Sequence, residues 1–179
     1  MYIDTRDINR VEQKAKNLLQ KYKISSLPVP IKDIVKKEGL NLISYDLGEN
    51  VSGILVIENS IGTIGYSPEN SKVRQRFTIA HELGHFLLHK HHSSEVFIDK
   101  DFIIKYRSEK KYTSTEIKQE QEANTFAAAL LMPLDMLKAE VAKKENLNLS
   151  ETELISTLAK IFDVSIPAMT YRIANSTLF

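Results

Sequence analysis

The stretch RFTIAHELGHFLLHKHH, residues 76–92, contains all five histidines of the chain and the pattern H-E-x-x-H at residues 81–85. On a helix, residues four apart lie on the same face one turn apart, so the imidazoles of His81 and His85 can converge on one ion. Neutral imidazole nitrogens at this spacing suit Zn²⁺. Glu82 follows the first histidine and is placed to act as general base on a water molecule. The stretch therefore predicts a helix that carries a metal site and hydrolytic chemistry.

The alternative for this stretch is a surface helix with scattered histidines. Its neighbours favour a buried helix instead, because they are strongly apolar, and buried polar side chains need partners. A metal ion would satisfy both histidines at once. Gly84 costs a helix about 1 kcal/mol relative to alanine, which predicts close packing against another element at this point. The apolar neighbours are Phe77, Ile79, Ala80, Leu83, Phe86 and Leu87.

A catalytic zinc usually has three protein ligands, and a second buried helix is the expected source of the third. The segment EQEANTFAAALLMP, residues 120–133, has an alanine-rich face that allows close approach. Glu120 and Asn124 share that face, so we expect Glu120 to be the third ligand and Asn124 to orient a histidine by a hydrogen bond. Glu122 is the alternative ligand. If the segment were only the solvated start of a helix, neither acid would have such a role.

His89 lies one turn beyond His85 and is not expected to bind the same ion. Three histidines on consecutive turns span about 12 Å of helix axis, which is too long for one tetrahedral centre. We expect His89 to support the site from outside the ligand set or to pack. The candidates for stabilising an oxyanion, each more simply explained as a solvated loop residue, are His91, His92, Tyr106 and Tyr112.

Hydrophobic spacing over the rest of the chain predicts an α+β fold. A first amphipathic helix starts near Thr5, and Pro30 opens a second one that stops at Gly39. The segments LNLIS, VSGILVIE and TIGY are typical of strands, with a turn at NSIG, and their order suggests a small, mostly antiparallel sheet. Residues 91–112 are expected to form a long loop with one short strand near VFIDKDFII.

Further helices are predicted after this loop. Thr113 with Glu116, and Ser150 with Glu153, have the spacing of capping boxes that start helices. Pro133 is tolerated in the first turn of a helix between them, and a short helix ends the chain.

Composition and charge narrow the function classes. A net charge of +1 gives no electrostatic reason to expect nucleic acid or an anionic membrane as partner. The chain contains no cysteine, which excludes disulfides and thiolate metal sites and fits a reducing compartment. The charged N-terminus lacks the apolar core of a signal peptide, and no segment is apolar enough to span a bilayer. We therefore expect a cytoplasmic protein.

The two motifs together, RFTIAHELGHFLLH and EQEANTFAAALLMP, resemble the ImmA/IrrE family of zinc metallopeptidases, also called M78. The upstream segments SSLPVPIKDIVKKEGLNLIS and VSGILVIE are similar to that family as well, so the likeness spans about residues 15–135. It implies one domain over residues 1–179, with the N-terminal helices, sheet and zinc site in 1–135 and a C-terminal helical part in 136–179.

The resemblance also implies a zincin-like, gluzincin-like core that hydrolyses peptide bonds. Carried over by position, His81 and His85 would be ligands of Zn²⁺, Glu82 the base, and Glu120, or alternatively Glu122, the third ligand. Family members include proteases that cut helix-turn-helix repressors of phages and mobile elements. The expected partner is therefore such a repressor or an antitoxin-like regulator, with neither nucleic acid nor membrane bound directly.

Two other functions compete with a peptidase. Residues 151–179 have the outline of a helix-turn-helix, but with two basic against three acidic residues they lack the clustered positive charge that phosphate contact needs. A catalytically silent metal-binding module, or a transcription regulator acting through protein contacts, would keep the same motifs without cutting.

Overall fold

The computed structural model describes residues 3–48, 51–89, 94–100, 113–143 and 148–176, which form seven helices and a four-stranded sheet. The fold is α+β, as the sequence predicts. In chain order the elements are α1 Thr5–Lys21, α2 Ile31–Lys37, β1 Asn41–Ser44, β2 Val51–Glu58, β3 Ile61–Tyr66, α3 Lys72–His89, β4 Ser94–Lys100, α4 Ser114–Leu131, α5 Leu134–Val141, α6 Glu151–Phe162 and α7 Ile166–Ala174.

The helix boundaries follow from local chemistry. The Asp4 side chain caps α1 by accepting from the backbone N–H of Asp7, and α2 is followed by Gly39 at φ +81°, a conformation that favours glycine. Both predicted capping boxes are present, with Thr113 before α4 and Ser150 before α6. The helix predicted after Pro133 is α5, which begins at Leu134 and ends at Val141.

The sheet has the strand order β1-β3-β2-β4 and is mostly antiparallel, as expected. Strands β2 and β3 form a hairpin, and β4 pairs antiparallel with the other edge of β2. Strand β1 pairs parallel with β3. The β2–β3 turn places Asn59 and Ser60 at positive φ, which suits the twist of a tight hairpin. The predicted strand within residues 91–112 is β4, which starts earlier than expected, at Ser94.

Helix α3 lies between the sheet and α4, and glycines allow close contact on both sides. A Cβ built on Gly53 of β2 would lie 2.3 Å from Cγ2 of Thr78, and one on Gly84 would lie 3.3 Å from Cα of Ala123. Such distances leave no room for a larger side chain without a shift. The central part of α3, Thr78–His85, is buried throughout as a result.

The C-terminal helices are attached to this core through two arginines, of which Arg172 is buried and Arg76 is partly buried. Arg172 of α7 donates to the backbone carbonyl of Met132 and pairs with Glu12 of α1. Arg76 of α3 donates to the carbonyl of Asp163 at 3.1 Å, and burial lowers the pKa of its guanidinium. Because Arg172 is buried, one of the two basic residues in the helix-turn-helix outline does not face solvent.

Within the described residues, no helix is both long and apolar enough to cross a membrane.

Candidate metal centre

Helix α3 places both histidines and the glutamate of the H-E-x-x-H motif in the interior. His81 and His85 are each 2% exposed, and Glu82 between them is fully buried. The helical spacing brings the two Nε2 atoms to 3.0 Å from each other, so both nitrogens face the same point. Two imidazole lone pairs that face each other at this distance favour a cation between them.

Helix α4 adds a carboxylate to this pair. The Oε1 atom of Glu120 lies 3.5 Å from Nε2 of His85, and Oε2 lies 3.6 Å from Nε2 of His81. The three side chains form a group that can hold a metal ion, with one donor atom from each and all three within 4.8 Å of one another. The Glu120 side chain is 24% exposed, so the group is open to solvent on the α4 side.

These separations fit a tetrahedral zinc ion. Ligand atoms about 2.1 Å from such an ion lie about 3.4 Å from one another. The three distances between donor atoms, 3.0, 3.5 and 3.6 Å, bracket that value. Two imidazoles and one carboxylate are also a donor set that zinc accepts, and three protein ligands leave a fourth position for water or substrate. The residues present therefore fit such an ion.

Asn124 lies behind His81. Its amide oxygen is 3.0 Å from Nδ1 of His81, which fits an Nδ1–H donor and leaves the lone pair on Nε2. This contact is the one expected from the sequence, where Asn124 shares a helix face with Glu120.

Comparison with known proteins places this arrangement in a family. A family model described as peptidase M78, IrrE N-terminal-like domain, matches residues 35–174. The chain belongs to the peptidase M78 family. The match extends through α7, so the C-terminal helices are part of the M78 domain, beyond the limit near residue 135 that the sequence motifs alone indicate.

The other comparisons add only the fold. Among curated proteins, no significant match to this M78 chain is found. One similar solved structure is described as a Mycobacterium tuberculosis transcriptional regulator, with 16% sequence identity and a TM-score of 0.64. The alignment covers 97% of this chain and 47% of that one, so the chain spans about half the length of the regulator. At this identity the likeness shows a shared fold.

Glu122, the alternative ligand, contacts a different histidine. Its Oε2 atom lies 2.8 Å from Nε2 of His89, and Oε1 lies 2.6 Å from a guanidinium nitrogen of Arg10. His89 in turn lies 3.1 Å from His85, with Nδ1 facing Nδ1. Glu120 and Glu122 therefore occupy different places. Glu120 belongs to the donor group, and Glu122 contacts His89, which lies behind His85.

The outer side of Glu122 is surrounded by charges from α1 and α4. Lys118 pairs with Asp7 at 2.6 Å and lies 4.0 Å from Glu122. The hydrogen bond from Lys118 lowers the pKa of Asp7, and the same contact raises the pKa of Lys118. Arg10, half exposed, contacts Glu122 directly and could not be predicted from the sequence, because an arginine on an amphipathic helix carries no signal of its partner.

Glu82 faces the sheet side of α3. A Cβ on Gly53 would lie 3.0 Å from Oε1 of Glu82, so the carboxylate is held against strand β2. The candidates for an oxyanion partner, His91, His92, Tyr106 and Tyr112, lie outside the described residues.

Proposed function

We propose that this chain is a zinc-dependent endopeptidase with a zincin-like core that cuts a regulatory protein. The observation that carries the proposal is the convergence of His81, His85 and Glu120 from two packed helices, beside a buried Glu82. Membership of the M78 peptidase family supports the proposal, because the chain then combines a peptidase family with a donor set that suits catalytic zinc.

Each residue of the site has a distinct role in this proposal. When bound, zinc polarises a carbonyl and lowers the pKa of water towards about 7. His81, His85 and Glu120 hold the ion, and Asn124 keeps His81 in the tautomer whose Nε2 faces inward. Glu82 accepts the proton of the attacking water and delivers it to the nitrogen of the leaving amine. Burial of Glu82 excludes bulk water from this proton transfer.

The proposed substrate is a helix-turn-helix repressor of a phage or mobile element, or an antitoxin-like regulator. The family resemblance supports this choice, and the structural likeness to a transcriptional regulator is consistent with a role in gene regulation. The modest net charge and the buried Arg172 favour action on a protein over direct contact with nucleic acid.

A second candidate is a regulator that binds a metal and a partner protein without cutting. The likeness to a transcriptional regulator about twice the length of this chain is the observation that favours it. The two candidates differ in one measurable outcome, which is a new peptide terminus in the partner.

The test is cleavage of candidate repressors by zinc-loaded protein, with products located by mass spectrometry. The matched control is Glu82→Gln, which keeps the ligands and removes the general base, so it should bind zinc normally and cut at least about 100-fold more slowly. Cleavage by the wild type alone supports the peptidase. A zinc-loaded wild type that binds a repressor and leaves it intact supports the regulator instead.

A further inference from the structure

We propose that His89 and Glu122 are positioning residues that fix which nitrogen of His85 is free to bind the metal. The proposal rests on the metal centre of the proposed function and adds a role for two buried residues outside its ligand set. Its basis is a continuous line of three contacts that runs from His85 through His89 and Glu122 to Arg10, at 3.1, 2.8 and 2.6 Å.

The direction of these hydrogen bonds follows from the outer end of the line. Glu122 is paired with Arg10, and a carboxylate can only accept hydrogen bonds. His89 must therefore present a protonated Nε2 to Oε2 of Glu122. In a neutral imidazole the other nitrogen is then an acceptor, so Nδ1 of His89 carries the lone pair.

The same reasoning applies to the next ring. Because Nδ1 of His89 is an acceptor, Nδ1 of His85 must carry the proton that joins them across 3.1 Å. The lone pair of His85 then lies on Nε2, the atom that faces His81 and Glu120. If both rings had the opposite tautomer, the lone pair on Nε2 of His89 would face the Glu122 carboxylate. A proton would then lie on Nε2 of His85, where a metal ion must bind.

Burial makes this arrangement persistent. His85, His89 and Glu122 are 2%, 3% and 4% exposed, so water has little access to replace the two contacts that join these three side chains. Hydrogen bonds in such surroundings are strong, and reversing one requires reversing the next.

His81 reaches the same tautomer through Asn124. Helix α4 therefore sets the tautomers of both histidines as well as supplying Glu120.

The position of these residues explains the spacing of the polar side chains on α4. Glu120, Glu122 and Asn124 occupy alternate positions of one helix. Glu120 faces Nε2 of both His81 and His85. Glu122 reaches His85 through His89, and Asn124 contacts Nδ1 of His81. Helix α4 thus supplies one donor of the set and contacts that orient the two imidazole rings supplied by α3.

The first experiment measures tautomers directly in metal-free protein, using two-bond ¹H–¹⁵N correlation spectra of the histidine rings. We expect the Nδ1–H tautomer for His85 and the Nε2–H tautomer for His89. In His89→Leu, His85 should lose its single tautomer and show a mixture. A wild-type spectrum with Nε2–H on His85, or with His89 protonated on both nitrogens, would overturn the proposal.

The second experiment measures zinc affinity by competition with a chelator, together with the visible spectrum of the Co²⁺-loaded protein. His89→Leu and Glu122→Leu should each weaken zinc binding about 10- to 100-fold, with a smaller loss in the isosteric Glu122→Gln, whose amide oxygen can still accept from His89. The matched control is Glu12→Gln, which neutralises a glutamate that pairs with Arg172 on the other side of α1. This control should bind zinc as the wild type does.

These measurements separate the two proposals. Wild-type affinity in all of the His89 and Glu122 variants would overturn the positioning role and leave the metal centre intact. A wild type that takes up no zinc would contradict the proposed function, while the tautomers of the metal-free protein would still decide whether the line of hydrogen bonds exists. If Glu122→Leu does not fold, the spectra and the zinc affinity of Glu122→Gln decide the question in its place.

Discussion

The amide oxygen of Asn124 lies 3.0 Å from Nδ1 of His81, on the side of the ring away from Glu120 and His85. A hydrogen bond of this kind fixes both the tautomer and the rotation of an imidazole, and its loss typically weakens metal binding by a factor of 10 to 100. The contact joins the second motif of the sequence to the first, beside the contacts that Glu120 and Glu122 make.

We expect Asn124→Leu to weaken zinc binding by about 10- to 100-fold, because the ring of His81 loses the acceptor that holds it. Chelator competition at fixed pH measures the change. Asn124→Asp should keep affinity near the wild-type value, since a carboxylate oxygen also accepts from Nδ1–H. The matched control is Thr125→Val, since the Thr125 hydroxyl bonds to its own helix at the carbonyl of Gln121. Equal affinity in Asn124→Leu and Thr125→Val would contradict this role.

Glu120→Ala should be purified with little or no zinc, because it removes one of the three donor side chains. Glu122→Ala should still bind zinc, although more weakly, because Glu122 lies behind His89. Metal content after dialysis, measured by mass spectrometry of the element, distinguishes the two variants. Loss of zinc from Glu122→Ala alone would reverse the roles of these two acids.

Gly84→Ala should lower the free energy of unfolding by about 1 kcal/mol. Replacing a helical glycine by alanine gains about 1 kcal/mol in propensity. The new methyl group would lie 3.1 Å from Cδ1 of Phe126 and 3.3 Å from Cα of Ala123, and overpacking of this kind costs about 1–3 kcal/mol. Backbone atoms of α4 cannot move aside as a flexible side chain can. Chemical denaturation followed by circular dichroism measures the difference, and a more stable variant would show that the two helices can separate without cost.

The capping box of α6 should make part of the stability depend on pH. Hydrogen bonds from the hydroxyl and the backbone N–H of Ser150 lower the pKa of Glu153 below its usual value of 4.5. A carboxyl whose pKa is lowered by folding stabilises the protein above the unfolded pKa and loses that effect as the pH falls through the folded pKa. The stability gap between wild type and Glu153→Gln should therefore be widest near neutral pH and should shrink below about pH 4.5.

Unfolding curves at several pH values between neutral and about pH 3 measure this gap. Glu151→Gln, which neutralises an acid in the same first turn but outside the capping box, is the matched control for the general effect of charge near a helix start. A gap for Glu153→Gln that stays constant with pH would show that the ionised carboxylate does not contribute.

Local patterns predicted those parts of the site that depend on one helix at a time. The four-residue spacing of His81 and His85 dictates that their rings meet, and the same spacing places Glu120 and Asn124 on one face of α4. Both capping boxes could be located because their hydrogen bonds join residues three apart. The bounds of β2 and the place of the hairpin turn followed from local sequence in the same way, whereas β3 and β4 start before their predicted positions.

Contacts between distant segments could not be predicted from these patterns. Arg10 and Glu122 are far apart in the sequence, and their salt bridge depends on how α1 packs against α4. His89 could be excluded as a ligand by its distance along the helix, but its link to Glu122 depends on the register between α3 and α4. At that register Gly84 lies against Ala123, a partner that no local period reveals.

The donor group also has a consequence for how the chain holds together. A metal ion at His85 and Glu120 would be a cross-link between α3 and α4, closing a loop of roughly 35 residues in a chain that contains no cysteine. A covalent cross-link over such a loop stabilises a folded protein by roughly 4 kcal/mol in the chain-entropy model. Removal of the ion by a chelator would then remove a cross-link between two parts of the core, and the stability of the folded state would depend on the supply of metal.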